Sequence, residues 1–263
     1  MTSGPTALVL VAHGSRDPRA AATTRALVRA VAAARPGAVV RAAYLDHAGP
    51  RPGTVLRALE CAGHHRAVLV PLLLTSAYHH RVDIPEAVRV ARAAGLRMAV
   101  PVADALGPTG EPADDLLVGA LRGRLAEAGA PVGGPGAAGG LDAVVLAAAG
   151  TRDAAAIESV DRVAGALSDA LAVPCRPAYA SATPPTIGAV LADLRASGAR
   201  RVAMATYFLA PGRLYESMAT VARADGAVAV AAPLADSPEI ARLVLARADT
   251  ALARMGDGPD SAQ

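Results

Sequence analysis

The chain has no lysine and no tryptophan, a single phenylalanine and two cysteines among its 263 residues. Each scarcity excludes something. Without lysine there can be no GxxxxGK[ST] phosphate loop, so nucleotide hydrolysis of the P-loop kind is ruled out. Aromatic residues make up 2% of the chain, which argues against base stacking on nucleic acid. Cys61 and Cys175 lie far apart and outside any CxxC spacing; they read as two buried, reduced thiols rather than a disulfide or a metal knuckle. No apolar run approaches the roughly 18 to 20 residues of a membrane span. The opening MTSGPTALVLVAHGS lacks a basic region ahead of its short apolar run, so it reads as a first strand and the protein as cytoplasmic. The net charge of +3 is too small to demand a polyanionic partner such as nucleic acid, although it permits an acidic small molecule. All basic residues being arginine favours carboxylate-rich or phosphate-rich ligands, which the planar guanidinium fork matches.

What is present is a pattern of apolar runs alternating with Ala-rich helical stretches. ALVLVA (7–12), AVVRAAY (38–44), AVLVPLLL (67–74) and RMAVPVA (97–103) read as strands. Helices are expected near 18–34, 52–62, 84–94 and 112–128. Strand and helix in alternation with short connectors predict an α/β fold, a parallel sheet covered on both faces. Residues 129–140, GAPVGGPGAAGG, carry no charge and read as a flexible linker. The pattern then restarts: strands LDAVVLAA, VPCRPAYA, RRVAMATYFLA and AVAVAAPLA, with helices near 155–171, 186–197, 214–224 and 238–253.

The two halves match in detail. VLVAHGSRDP (9–18) answers VLAAAGTRDA (145–154), and AAYLDHAGP answers PAYASATPP. This predicts a duplicated domain, 1–128 and 141–263, joined by the linker. The copies differ in their histidines. All six (His13, His47, His64, His65, His79, His80) lie in the first half, and Ala149 stands where His13 stood. His13, Asp46 and His79 each follow a strand at its carboxyl end, where open parallel sheets bind ligands. With the strand order 2-1-3-4, His13 and His79 meet across a short gap with Asp46 nearby, an open site for a borderline divalent ion such as Fe²⁺, Co²⁺ or Ni²⁺. His64 and His65 fall at the opposite end of the sheet and read as surface residues.

HGSRDP (13–18) followed by PLLLTSAYHHRVDIP (71–85) resembles the ATP-independent, class II sirohydrochlorin chelatases, relatives of ferrochelatase and of the anaerobic cobaltochelatase. The second half is similar to the degenerate partner domain of that family's long members, with Leu214 where His79 would be. The resemblance implies two tandem chelatase-like domains with a cleft between them. It implies metal insertion into sirohydrochlorin in siroheme or cobalamin synthesis, with no permanently bound cofactor and the divalent ion as substrate. A monomer would then suffice. His13 and His79 would be catalytic and would hold the metal. Asp46 would join them where the family often has glutamate, with His47 beside it as an alternative. Ser15, Arg16, Tyr78, His80, Arg81, Arg152 and Arg213 would bind the carboxylate-rich tetrapyrrole. Two other readings stay open at this point. One is a carrier that binds metal or tetrapyrrole without turnover. The other is a histidine phosphatase, disfavoured because Ala12 and not arginine precedes His13.

Overall fold

The computed structural model describes residues 6–75, 83–110, 114–131, 140–234 and 236–256. The chain divides into two compact units, residues 1–109 with 236–263, and residues 110–235.

In the first unit β1 (Ala7–Ala12) is flanked by β2 (Val40–Tyr44) and β3 (Ala67–Pro71), all parallel, in the order β2-β1-β3. Leu8 pairs with Val40 and Ala7 with Ala67. β1 is apolar throughout because both faces of the sheet are covered. Ala7, Val9 and Val11 pack with α2 (Pro52–Cys61) and α3 (Ile84–Ala93). The alternation of the strand turns Leu8 and Leu10, also buried, to the other face. α1 (Pro18–Ala34) packs against α8 (Pro238–Gly256), and α8 against β3. α1 starts where the sequence says it should. Asp17 caps it by accepting the Arg19 N–H at 2.9 Å, and Pro18 occupies the first turn, where no N–H is needed. Its buried residues Ala20, Thr24, Leu27 and Val31 recur at helical spacing.

The expected fourth strand, Arg97–Ala103, is instead a pair of isolated bridges, Arg66 with Ala99 and Leu69 with Val102. The cause is Pro101. The Ala99 N–H reaches the His65 carbonyl and the Ala103 N–H reaches the Leu69 carbonyl, but proline has no N–H for the carbonyl between them. The thiols also depart from expectation. Cys175 is partly buried, but Cys61 is exposed, because it ends α2 off the buried stripe of Val55, Leu56 and Leu59.

The second unit repeats the plan. β4 (Ala143–Ala148), β5 (Cys175–Tyr179), β6 (Val202–Tyr207) and β7 (Ala229–Val230) form a parallel sheet in the order β5-β4-β6-β7. α6 (Ile187–Ala196) and α7 (Arg213–Ala224) share a core with it. α4 (Asp115–Glu127) packs on β6 and on α5 (Ala154–Leu171).

The compact units therefore do not coincide with the sequence halves 1–128 and 141–263. α4, from the first half, covers the second unit's sheet, and α8, from the second half, covers the first. Duplicated domains can trade equivalent elements at little cost, since each sheet still buries one apolar helix at that place. Leu117, Leu121 and Leu125 supply that stripe on α4. On α8 the place is fixed by Arg247, which is 1% exposed and donates to the carbonyls of Ala105 (3.2 Å) and Gly107 (3.0 Å).

Candidate active site at the carboxyl rim of the first sheet

The first unit concentrates its chemistry where β1 and β2 end. His13 follows β1 directly, and two hydrogen bonds tie its turn to the one after β2. Leu45 N–H donates to the Ala12 carbonyl at 3.0 Å, and Asp46 N–H to the His13 carbonyl at 2.7 Å. The strands approach so closely that residue 14 must be glycine. Gly14 has φ +97°, and a Cβ there would overlap the Asp46 carbonyl oxygen.

Beyond Asp46 the chain turns sharply at His47, whose φ of 57° lies in the left-handed region. Histidine is one of the few side-chain-bearing residues enriched there. The turn folds residue 47 back on its neighbour. Its N–H donates to Asp46 Oδ1 at 2.8 Å, and its Nε2 lies 3.4 Å from Asp46 Oδ2. The rings of His13 and His47 stand edge-on at 82°, with centroids 6.1 Å apart. Arg51 approaches Asp46 Oδ1 at 3.7 Å and also donates to the Leu45 carbonyl. These neighbours hold the Asp46 carboxyl below its usual range. The His47 N–H contributes most, followed by the charges of His47, Arg51 and His13. Asp46 is therefore a carboxylate at neutral pH.

A cavity of about 580 Å³ opens at this rim, within the range of small-molecule sites. Its walls carry opposite charges. Arg51 precedes α2 and Arg57 lies within it, Asp83 and Glu86 come from the start of α3, and His13 and Asp46 stand at the end of the sheet. Glu86 is held ionised by Arg89, its partner in an i,i+3 ion pair.

The structure brings His13 and Asp46 to one cavity. Ser15 accepts the Asp17 N–H at 3.0 Å and so belongs to the turn that enters α1. Neither Ser15 nor the exposed Arg16 lines the cavity. Arg152, in the turn after β4, and Arg213, the first residue of α7, are exposed on the second unit. Tyr78, His79, His80 and Arg81 lie outside the described residues. Among the described residues no three His, Cys, Asp or Glu side chains are gathered as a ready metal centre. Arg51, Arg57 and Glu86 were missed from sequence, and His47 entered only as an alternative to Asp46. The usable signal for His47 was its place in the turn Asp-His-Ala-Gly-Pro, where a left-handed residue can point back at its neighbour.

The second unit has the same turns without the chemistry. Ser181 N–H donates to the Ala149 carbonyl at 3.1 Å and Ala180 N–H to the Ala148 carbonyl at 2.9 Å. Gly150 has φ +90° and a Cβ there would overlap the Ser181 carbonyl, while Ala182 has φ 68°. Ala149, Ser181, Ala182 and Thr186 thus occupy the places of His13, Asp46, His47 and Arg51. The backbone device is common to both copies, and its reactive side chains belong to one.

The CbiX family model matches residues 7–128 and 143–251. In fold the chain is similar to SirB from Bacillus subtilis with Fe³⁺ (TM-score 0.80, 22% identity), over 96% of this chain and 98% of that one. It is similar also to the sirohydrochlorin chelatase SirB of Bacillus subtilis subspecies spizizenii in complex with cobalt (0.76, 21%, over 96% and 98%). A third likeness is to CbiX, the terminal enzyme for biosynthesis of siroheme in denitrifying bacteria (0.61, 19%, over 94% and 99%). No curated protein sequence matches. Among the described residues no helix is long and apolar enough to cross a membrane.

Proposed function

The chain belongs to the CbiX family, and on that premise we propose that it inserts a divalent metal, Co²⁺ or Fe²⁺, into sirohydrochlorin without ATP. The observation that carries this reading is the contrast between the two copies of one turn. His13, Asp46 and Arg51 surround a cavity in the first unit, and Ala149, Ser181 and Thr186 replace them in the second. A purely structural turn gives no reason for that difference.

Insertion consumes one divalent cation and one macrocycle and releases the two pyrrole N–H protons. The site offers groups for each part. The His13 imidazole can hold the ion or accept a proton near neutrality. Asp46 presents a carboxylate whose Oδ1 is held by the His47 N–H, which leaves Oδ2 for the cation. His79, from the second motif, supplies the other imidazole. The two charged walls suit the two substrates. Asp83 and Glu86 draw the cation, and Arg51 and Arg57 meet rim carboxylates of the tetrapyrrole. Arg16, Arg81, Arg152, Arg213, Tyr78 and His80 are the further residues that the family resemblance assigns to the tetrapyrrole. Ser15 acts through the turn it closes. The reaction belongs in the cytoplasm.

The test is an anaerobic absorbance assay of sirohydrochlorin with Co²⁺ and with Fe²⁺, using the native chain and the His13→Ala and His79→Ala variants. Each variant should lose at least about a hundredfold in rate, the lower bound for a positioned acid or base, while keeping its unfolding midpoint. A His13→Ala chain that inserts metal at the native rate would remove His13 from the mechanism.

A further inference from the structure

The site holds an imidazole that the family resemblance does not require. We propose that His47 is a further ligand of the incoming metal ion, paired with Asp46 through Oδ2 and set beside His13. The proposal rests on the chelatase reading only in taking the ion to be a substrate.

The geometry discriminates between a metal pair and an ordinary ion pair. His47 Nε2 and Asp46 Oδ2 are 3.4 Å apart. A charge-assisted hydrogen bond between them would draw them to about 2.7–2.9 Å. First-row divalent ions bind imidazole nitrogen and carboxylate oxygen at about 2.1 Å, so two such donors at a tetrahedral angle sit about 3.4 Å apart. The carboxylate is also oriented for this. Oδ1 is occupied by the His47 N–H at 2.8 Å and faced by Arg51 at 3.7 Å, so Oδ2 is the oxygen turned to the imidazole. His13 stands one step back. Two imidazoles on a tetrahedral ion place their ring centroids about 5 Å apart, and here the separation is 6.1 Å. His13 would need to move by about 1 Å to join the pair on one ion.

The second repeat supplies an independent observation. Ala182 adopts φ 68° at the place where His47 adopts 57°, so the backbone bend forms without histidine. The imidazole is thus not there to make the turn. Imidazoles joined by one carboxylate favour borderline ions such as Co²⁺ and Ni²⁺ over Mg²⁺ or Mn²⁺.

The experiment uses the full chain and Co²⁺ alone, followed by its visible ligand-field absorption. His47→Asn removes the imidazole with a residue that tolerates the left-handed region, and its metal-free unfolding midpoint should match the native one. Its Co²⁺ affinity should fall at least about tenfold, the least that even an outer-shell partner contributes, and its absorption band should change shape. His65→Asn, on an exposed histidine away from the site, should bind as the native chain does. Undiminished Co²⁺ binding by His47→Asn with an unchanged band overturns the proposal, as does a native chain that binds no Co²⁺. Co²⁺ binding that depends on His47, in a chain that inserts no metal, would sink the chelatase reading and leave this assignment standing.

Discussion

Replacing Gly14 by alanine should both destabilise the first unit and disable its site, and the second repeat supplies the control. At φ +97° an L-residue carries a penalty of about 1–2 kcal/mol. Its Cβ would also overlap the Asp46 carbonyl, so the β1 and β2 turns must part. That movement strains the 2.7 Å bond from the Asp46 N–H to the His13 carbonyl, a further ~1 kcal/mol. The sum, about 2–3 kcal/mol, corresponds to a fall of roughly 4–12 °C in unfolding midpoint for a unit of this size. Gly150→Ala meets the same obstacle, φ +90° and the Ser181 carbonyl, and should cost a similar amount. Circular dichroism on heating reads both. The functional readouts should diverge. Gly14→Ala displaces Asp46 from His13 and should weaken Co²⁺ binding, whereas Gly150→Ala moves only Ala149 and Ser181 and should leave it unchanged. A Gly14→Ala chain with native stability and native Co²⁺ affinity would refute the close approach of the two turns.

Three other outcomes are expected. Arg247→Met strands the Ala105 and Gly107 carbonyls in a site that is 1% exposed and should cost about 3 kcal/mol in urea unfolding; a change under about 0.5 kcal/mol would contradict its anchoring of α8. Asp142 accepts the N–H groups of Arg201 and Arg200, which hold its carboxyl below the ordinary 3.8. A carboxyl lowered in the folded state stabilises at pH values above 3.8 and loses that effect as pH falls through its folded value. Asp142→Asn should therefore lower the melting midpoint at neutral pH, with the gap to the native chain closing in acid; a gap constant with pH would contradict this. Burial pushes the Cys175 thiol up to about 12, and Cys61 is exposed, so a thiol reagent at mildly alkaline pH should modify one cysteine fast and one slowly. Two equally fast modifications would show Cys175 to be open.

Much of the fold can be read from local signals. Asp17-Pro18 marks the start of α1, and its apolar period runs to the end of the helix. The order β2-β1-β3 is the common one for such a pattern, and with it His13 and Asp46 fall at one rim. What sequence conceals is non-local or conformational. The apolar stripe of Leu117, Leu121 and Leu125 fits either sheet, so nothing in it reveals that α4 serves the second unit. Pro101 sits in a strand-like run, but its effect depends on which N–H the neighbouring strand needs. Adjacent side chains in extended backbone diverge, so Asp46 and His47 look independent until the left-handed turn brings them together.

The central claim is that this site turns over, and counting product per chain tests it most directly. Native protein is mixed anaerobically with Co²⁺ and an excess of sirohydrochlorin, without nucleotide, and the metallated product is followed by absorbance. Native protein should form many product molecules per chain, and His13→Ala none above the spontaneous rate. Product that stops at one per chain, or that forms equally fast without protein, would contradict the claim.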